Sequence, residues 1–398
     1  MISSKRNYLV EFDSASLSTM NQKPLPIPIY QPSDDDACCG SPLAPPASEH
    51  ERPGFTICPY VDGFVDSGIG MVPRVSSRLN WLDRVGEIRA RFGFLRDSYR
   101  ISPGLYCVGD PGLESPVLVT ANYKLTFDHL RRELLGQNLW ILVLDTRGVN
   151  VWCASAHKTF GTEELLSRIE LSGLAKLVSH RQIIVPQLGA SGVSAKAIKS
   201  SCGFEVIWGP LRAEDLPEFL ANACKTLRDM RKLTFTISER LVLVPVELAM
   251  ALKPSLLFLT VMLGISGIGP DFFLTGQAWS RWLLFVPPFL LGLISGGGLV
   301  PALLPWLPFR SFYLKGIIVA LPVAWVVYFW FGSSSWLEVV AQLLICITVS
   351  SYLAMNFTGA TPYASPSGVE KEMRQAISAQ LLMTLVALVL WVAKPFIY

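Results

Sequence analysis

Residues 140–162 read WILVLDTRGVNVWCASAHKTFGT. The apolar run Trp140 to Leu144 precedes the turn formers Asp145-Thr-Arg-Gly148, and Asn150 then opens a segment with Cys153 three residues on. A short apolar run bounded by turn residues fits a buried strand, and Asn at such a switch is a good helix N-cap. The stretch reads as strand, turn and short helix, with Cys153 in the first helical turn at the strand's carboxyl end. A cysteine there is where a thiolate is most favoured. On position alone, a buried and inert cysteine is the commoner outcome.

The same alternation extends outward from this unit. Leu105–Val108, Val117–Thr120, Ile183–Val185 and Phe204–Trp208 join Trp140–Leu144 as candidate strands, with amphipathic stretches at Phe127–Leu135, Thr162–Leu171, Ser194–Ser200 and Ala213–Ala223. Strands alternating with helices predict an open, mostly parallel sheet covered on both faces, a Rossmann-like α/β domain over residues 53–236. Ligands of such sheets sit beyond the carboxyl ends of the strands. That points to Thr120-Ala-Asn-Tyr123, the Asp145–Asn150 turn, Pro186-Gln-Leu-Gly-Ala-Ser-Gly192 and Gly209-Pro210.

Residues 237–398 are different in kind. Only ten of the 65 charged residues (34 basic and 31 acidic) follow Lys253. Five apolar stretches, roughly 243–267, 280–299, 313–332, 336–355 and 376–394, are each near the ~20 residues that cross a bilayer. Pro245, Glu247 and Lys253 leave the first half of the first stretch open to a second reading, an amphipathic entry helix on the membrane surface. Basic residues 310, 315, 371 and 374 fall on one side, which predicts an α/β domain in the cytoplasm, an inner-membrane location and the C-terminus outside. Gly296, Gly297, Gly298, Pro287 and Pro288 fit either a broken transporter helix or close helix packing. An anchoring role is the expectation; a transporter with a regulatory α/β domain is the alternative from another class.

The first 52 residues read as a disordered tail, with eight prolines from Pro24 to Pro53, and the first twenty lack the apolar run of a signal peptide. Adjacent Cys38 and Cys39 could capture a soft metal such as Hg(II), or be two unpaired loop cysteines. The eight cysteines have neither zinc-pair nor secreted-disulfide spacing. A net charge of +3 spread along the chain argues against nucleic acid.

NVWCA followed by TFGTEEL resembles the cap-helix motif of the HgcA family, membrane-bound corrinoid proteins of mercury methylation. Residues 103–134, 140–154, 183–199, 203–220 and 355–374 resemble that family in order. The α/β segment is also similar to the corrinoid-binding domain of the large subunit of the corrinoid iron–sulfur protein of the acetyl-CoA pathway, which lacks the membrane tail and differs at the position of Cys153. The resemblance implies a cobalamin-type corrinoid over the strand ends, its lower base displaced, with Cys153 as the axial cobalt ligand and catalytic residue. It implies that Asn150, Val151, Trp152 and Ala154 shape the cap helix, and that Thr120, Asn122, Tyr123, the turn Gly189, Ala190, Ser191, Gly192, Val193, and Gly209 with Pro210 line the pocket. The family usually has Gly-Lys where this chain has Ala156-His157; His157 is either a tolerated polar exchange at the helix edge, the commoner outcome, or a group that bonds a corrin side chain, tunes the thiolate or competes as a ligand.

A thiolate below a metal stabilises its higher oxidation state and weakens the bond on the opposite face. Methyl leaving for an electron-poor cation takes its bonding pair, so two electrons must be restored. No Cys-x-x-Cys run is present to hold a 4Fe–4S cluster. The implied partners are a ferredoxin-like 4Fe–4S protein of the HgcB type, a methylated-pterin methyltransferase as donor, Hg(II) as substrate, and membrane lipid. The expected function is methyl transfer from a Cys-ligated cobalamin to Hg(II); the alternative is a membrane-anchored methyl carrier of one-carbon metabolism with another acceptor.

Overall fold

The computed structural model describes residues 43–397 apart from 49, 94–97, 271, 274, 332–334, 363 and 365. Cys38, Cys39 and the five prolines from Pro24 to Pro42 lie outside the described residues. Seven strands form one sheet: β1 (Val61–Asp66), β2 (Met71–Val75), β3 (Gly104–Val108), β4 (Val117–Ala121), β5 (Leu139–Leu144), β6 (Gln182–Val185) and β7 (Glu205–Trp208), in the order β1-β2-β3-β5-β4-β6-β7. The helices around it are α1 (Trp81–Arg91), α2 (Lys124–Glu133), α3 (Val151–Ala156), α4 (Thr162–Leu171), α5 (Leu174–Leu177), α6 (Ala195–Cys202) and α7 (Leu216–Ala221).

Strands β5, β4, β6 and β7 are mutually parallel, and the five expected strands all form. The sheet as a whole is mixed, with four of its six strand pairings parallel. β3 runs antiparallel to β5, Gly104 opposite Val143, and β1 pairs antiparallel with β2. The reason is the connection: residues 109–116 hold no helix, and a parallel return needs a crossover of a dozen residues or more. The carboxyl ends of β3 and of its parallel neighbour β2 therefore point away from those of β4 to β7.

β5 is buried along its whole length, and its alternation feeds two cores. Trp140, Leu142 and Leu144 pack with Phe160, Leu165, Ile169 and Ile198 on one face. Leu139, Ile141 and Val143 pack with Phe127, Leu134 and Phe219 on the other.

Beyond Thr236 the chain is helical: α8 (Ile237–Leu241), α9 (Val244–Ser266), α10 (Thr275–Ile294), α11 (Val300–Leu303), α12 (Phe312–Phe331), α13 (Trp336–Phe357) and α14 (Pro366–Ile397). A two-strand bridge, β8 (Ile268–Gly269) with β9 (Phe272–Phe273), joins α9 to α10. Five stretches, 237–266, 275–306, 312–330, 336–360 and 368–397, are long and apolar enough to cross a membrane. The first continues nearly unbroken from α8. A Thr236/Glu239 capping box starts it, and Arg240 Nη1 donates to Pro301 O (3.1 Å) and Ala302 O (3.2 Å).

The glycine run does not break the second stretch. Residues Ser295–Leu299 form one π-helical turn, and α11 continues it. A Cβ at Gly296 would lie 2.3 Å from Ser350 O, and one at Gly292 2.8 Å from Cys346 O. Small residues here let α10 approach the backbone of α13. One buried ion pair joins two of these helices: Arg281 Nε lies 3.1 Å from Glu338 Oε1, and Arg281 Nη1 donates to Ser266 O at 3.1 Å.

Candidate functional site

The turn after β5 is held from the neighbouring strand. Asn122, fully buried at the end of β4, accepts at Oδ1 from the backbone N–H groups of Thr146 (3.1 Å) and Gly148 (2.9 Å). Its Nδ2 donates to Asp145 Oδ1 at 3.0 Å, and the Thr146 hydroxyl sits between Asn122 Oδ1 (2.8 Å) and Val149 O (2.7 Å). Arg147 and Gly148 take left-handed backbone (φ 56° and 77°), so the chain reverses within two residues. From the far side Glu164 Oε1 accepts from Asp145 N at 2.8 Å. Burial raises the Glu164 pKa, with Arg168 opposing it.

That turn delivers Asn150 as the N-cap of α3, as its residue type predicted. Its backbone is extended (φ −67°, ψ 162°), and its Oδ1 accepts from Cys153 N at 3.0 Å. Val151, Ala154 and Ser155 face the core, Trp152 is 38% exposed, and Cys153 lies half-buried between the two sides. His157 closes the helix: its N–H donates to Cys153 O at 3.1 Å, which puts it four residues on, over the same side of the helix.

The glycine turn forms the floor of α3. A Cβ at Gly192 would meet Phe160 O at 2.1 Å and Ser155 Cα at 3.1 Å, and one at Gly189 would meet Phe160 Cε1 at 2.5 Å. Val193 is buried in the core, while Ala190 and Ser191 are exposed. Their glycines thus set how closely the loop backs the cap helix.

Next to α3 is a cavity of about 280 Å³ over the ends of β4, β6 and β7. Thr120, Asn150, Val151, Trp152, Gly209 and Pro210 are in its wall. Cys153, Asn122, Tyr123 and Gly189–Val193 are not part of that wall. Tyr123 instead precedes α2, edge-on to Tyr99 with ring centroids 6.5 Å apart.

Among the wall residues that a reading by strand ends does not reach, two are titratable, His129 and Arg212. Burial lowers the His129 pKa, against the opposing charge of Glu87. Arg212 reaches out of the cavity to Glu239 on α8 and to Thr234 Oγ1; the hydrogen bond with Glu239 raises its pKa. A signal for His129 exists in the spacing of Thr126, His129 and Leu130 on one side of α2; Arg212 follows the flagged Gly209-Pro210 by two residues.

This geometry lies inside the part of the chain with known relatives. Residues 95–220 match the family described as CO dehydrogenase/acetyl-CoA synthase delta subunit. The site segment resembles a subunit of an acetyl-CoA-handling complex. The acetyl-CoA decarbonylase/synthase complex subunit gamma of Methanopyrus kandleri is 34% identical over 127 residues, 31% of this chain and 27% of that protein. The subunit of the same name from Methanocaldococcus jannaschii is 35% identical over 129 residues, 32% and 26% of the two chains. That from Archaeoglobus fulgidus is 31% identical over 118 residues, 29% and 25%. The chain thus spans about a quarter of the length of these relatives. The matched family segment runs from just before β3 to α7 and stops before the five long apolar helices.

Proposed function

We propose that this chain is a membrane-anchored corrinoid protein that carries a methyl group for transfer, with Cys153 as the axial thiolate ligand of the cobalt. The observation that carries this reading is a half-buried cysteine in the first turn of a capped helix, set beside a mostly apolar cavity at the ends of the parallel strands β4, β6 and β7. The residue types fit the group: the soft sulfur of Cys153 would suit cobalt, and the mostly apolar wall would suit part of a macrocycle. When bound, a corrinoid supplies a cobalt centre that accepts a methyl group from one partner and yields it to another.

The residues of the chain have separable tasks. Cys153 would hold the metal, and its thiolate would push charge toward it. Asn150 ties the Cys153 N–H, so the sulfur-bearing turn is fixed before any ligand arrives. Asn122 and Glu164 fix the turn that carries Asn150, and Gly189 and Gly192 seat α3 on its floor. Thr120, Trp152, Gly209 and Pro210 would contact the corrinoid or its displaced tail. The five apolar helices would anchor this site at the inner membrane, with the α/β part cytoplasmic and the C-terminus outside.

The similarity to acetyl-CoA decarbonylase/synthase subunits supports a carrier in one-carbon chemistry of that kind, charged by a methylated-pterin methyltransferase. A second reading takes Hg(II) as acceptor. It is favoured by the NVWCA cap helix and by five apolar helices outside the matched segment. Because Hg(II) takes methyl with its bonding pair, that reading requires a ferredoxin-like 4Fe–4S partner of the HgcB type to return two electrons.

Protein purified without oxygen and supplied with cobalamin should carry a cobalt-corrinoid absorption spectrum; a chain that takes up none overturns both readings. Given the methyl donor, a reduced ferredoxin partner and Hg(II), methylmercury made by the wild type and not by Cys153→Ala selects the second reading. Methyl transfer to a thiol acceptor with no methylmercury selects the first.

A further inference from the structure

Helix α1 is amphipathic the wrong way round for a helix that packs only on its own sheet. Its buried side carries charge. Asp83 lies 2.8 Å from Lys124 Nζ and 2.7 Å from Arg131 Nη2, and the same two cations reach Asp128 at 2.6 and 2.8 Å. Its outer side is apolar: Trp81, Val85, Ile88 and Phe92 are 71, 40, 56 and 47% exposed. At 100° per residue these four fall in an arc of about 60°. Arg84 borders the arc on one side and Arg89 on the other, both exposed. The acids of α1 are engaged elsewhere, Asp83 in the buried network and Glu87 with Arg91 at 2.6 Å.

The position of α1 identifies what covers this face. A Cβ at Gly93, just past the helix, would lie 3.9 Å from Ala249 Cβ and 4.0 Å from Val246 Cγ2 on α9. Those residues belong to the end of the first apolar stretch nearest the α/β part. Arg240 bonds the carbonyls of Pro301 and Ala302 there, and a Cβ at Gly297 would lie 2.8 Å from Leu248 Cδ2. Helix α1 therefore leaves the apolar bundle where a bilayer's headgroups would meet its acyl chains.

We propose that α1 is an interfacial membrane helix, its Trp81, Val85, Ile88 and Phe92 face seated in the adjacent leaflet and Arg84 and Arg89 on anionic headgroups. A Trp-bearing apolar stripe between cations is the pattern such helices use, and the Arg residues add attraction to an anionic leaflet. The buried network then works as a rivet, since it ties this lipid-seated helix to α2, which lines the cavity with Thr126 and His129. Seating α1 fixes the tilt of the α/β part against the membrane. The inference rests on the reading of the five helices as membrane spans.

The test uses the full chain in nanodiscs of phosphatidylcholine with and without phosphatidylglycerol, with the photo-crosslinking residue benzoylphenylalanine placed at Ile88. The same residue at Leu113, exposed near the start of β4 and so at the sheet end away from Arg212 and α8, is the control. In phosphatidylglycerol discs, lipid adducts at Ile88 should exceed those at Leu113 by at least about fivefold and fall by a similar factor in R84E/R89E. Equal yields at the two sites, yields indifferent to R84E/R89E, or adducts to residues 1–42, to a second copy or to another protein would overturn the proposal. Failure of the chain to enter nanodiscs would instead overturn the membrane reading beneath it.

Discussion

Cys153 is a consequence of Asn122. The sulfur sits on a six-residue helix too short to hold itself in water, so its position depends on the turn before it. Asn122 satisfies that turn from another strand, using both its amide hydrogens' nitrogen and its carbonyl oxygen while fully buried. Removing it leaves the Gly148 N–H without its acceptor and the Thr146 N–H with Leu144 O alone. Asn122→Ala should destabilise the α/β part by about 1–3 kcal/mol and loosen α3 selectively. Amide hydrogen exchange should show faster exchange at Gly148 and Cys153 with β5 still protected; uniform exchange across the part would show a merely global effect. Neither this bond set nor the burial of Asn122 was legible in the sequence, where the residue reads as a pocket-lining position. Its partners lie 23–26 residues away and meet it only through the β4–β5 pairing.

Among the elements, β3 to β7 were legible because each is a run of apolar, β-branched or aromatic residues bounded by turn formers. The cap helix was legible because Asn150 marks its start. The hairpin β1–β2 was not: its first strand is half-buried at most, and its residues alternate too weakly to stand out. Helix α1 also escaped, since its apolar face points outward and its buried face holds Asp83. That acid has a pH signature. Burial opposes its ionisation, but hydrogen bonds from Lys124 and Arg131 outweigh burial and hold its pKa below the ordinary 3.8. A depressed carboxylate contributes stability that is full above the ordinary value and is lost as pH falls through the folded one. Asp83→Asn should therefore cost about 3–5 kcal/mol near pH 7 by leaving buried cations underpaired. The gap between variant and wild type, read by chemical unfolding of the detergent-solubilised protein, should narrow only below about pH 4; a gap constant down to pH 2 would place the stabilisation elsewhere.

At the scale of the molecule, the uneven charge of the sequence marks a real change of architecture near Thr236, a mixed sheet before it and an apolar helical bundle after it. What composition could not show is where the bundle's buried charges meet. Arg281, Glu338, Lys394 and Ser266 converge at one end, with Lys394 Nζ 3.8 Å from Glu338 Oε1 and the Arg281 guanidinium 5.0 Å over the Trp391 ring. Three spans contribute the charges and a fourth contributes Ser266, so the group reads as a clasp between helices. Arg281→Met alone should cost about 3–5 kcal/mol, while pairing it with Glu338→Leu should recover most of that, since apolar replacement of both partners is often neutral. Thermal aggregation in detergent would measure both; a double variant as unstable as the single one would argue for a working charge rather than a clasp. The central claim, that Cys153 binds the cobalt of a corrinoid at the strand ends, is tested most directly by cobalt K-edge X-ray absorption on the reconstituted full chain. One sulfur scatterer in the first coordination shell of the wild type, lost in Cys153→Ala while the corrinoid stays bound, is the predicted result. A wild-type spectrum with no sulfur neighbour, or one unchanged by the substitution, would contradict the account.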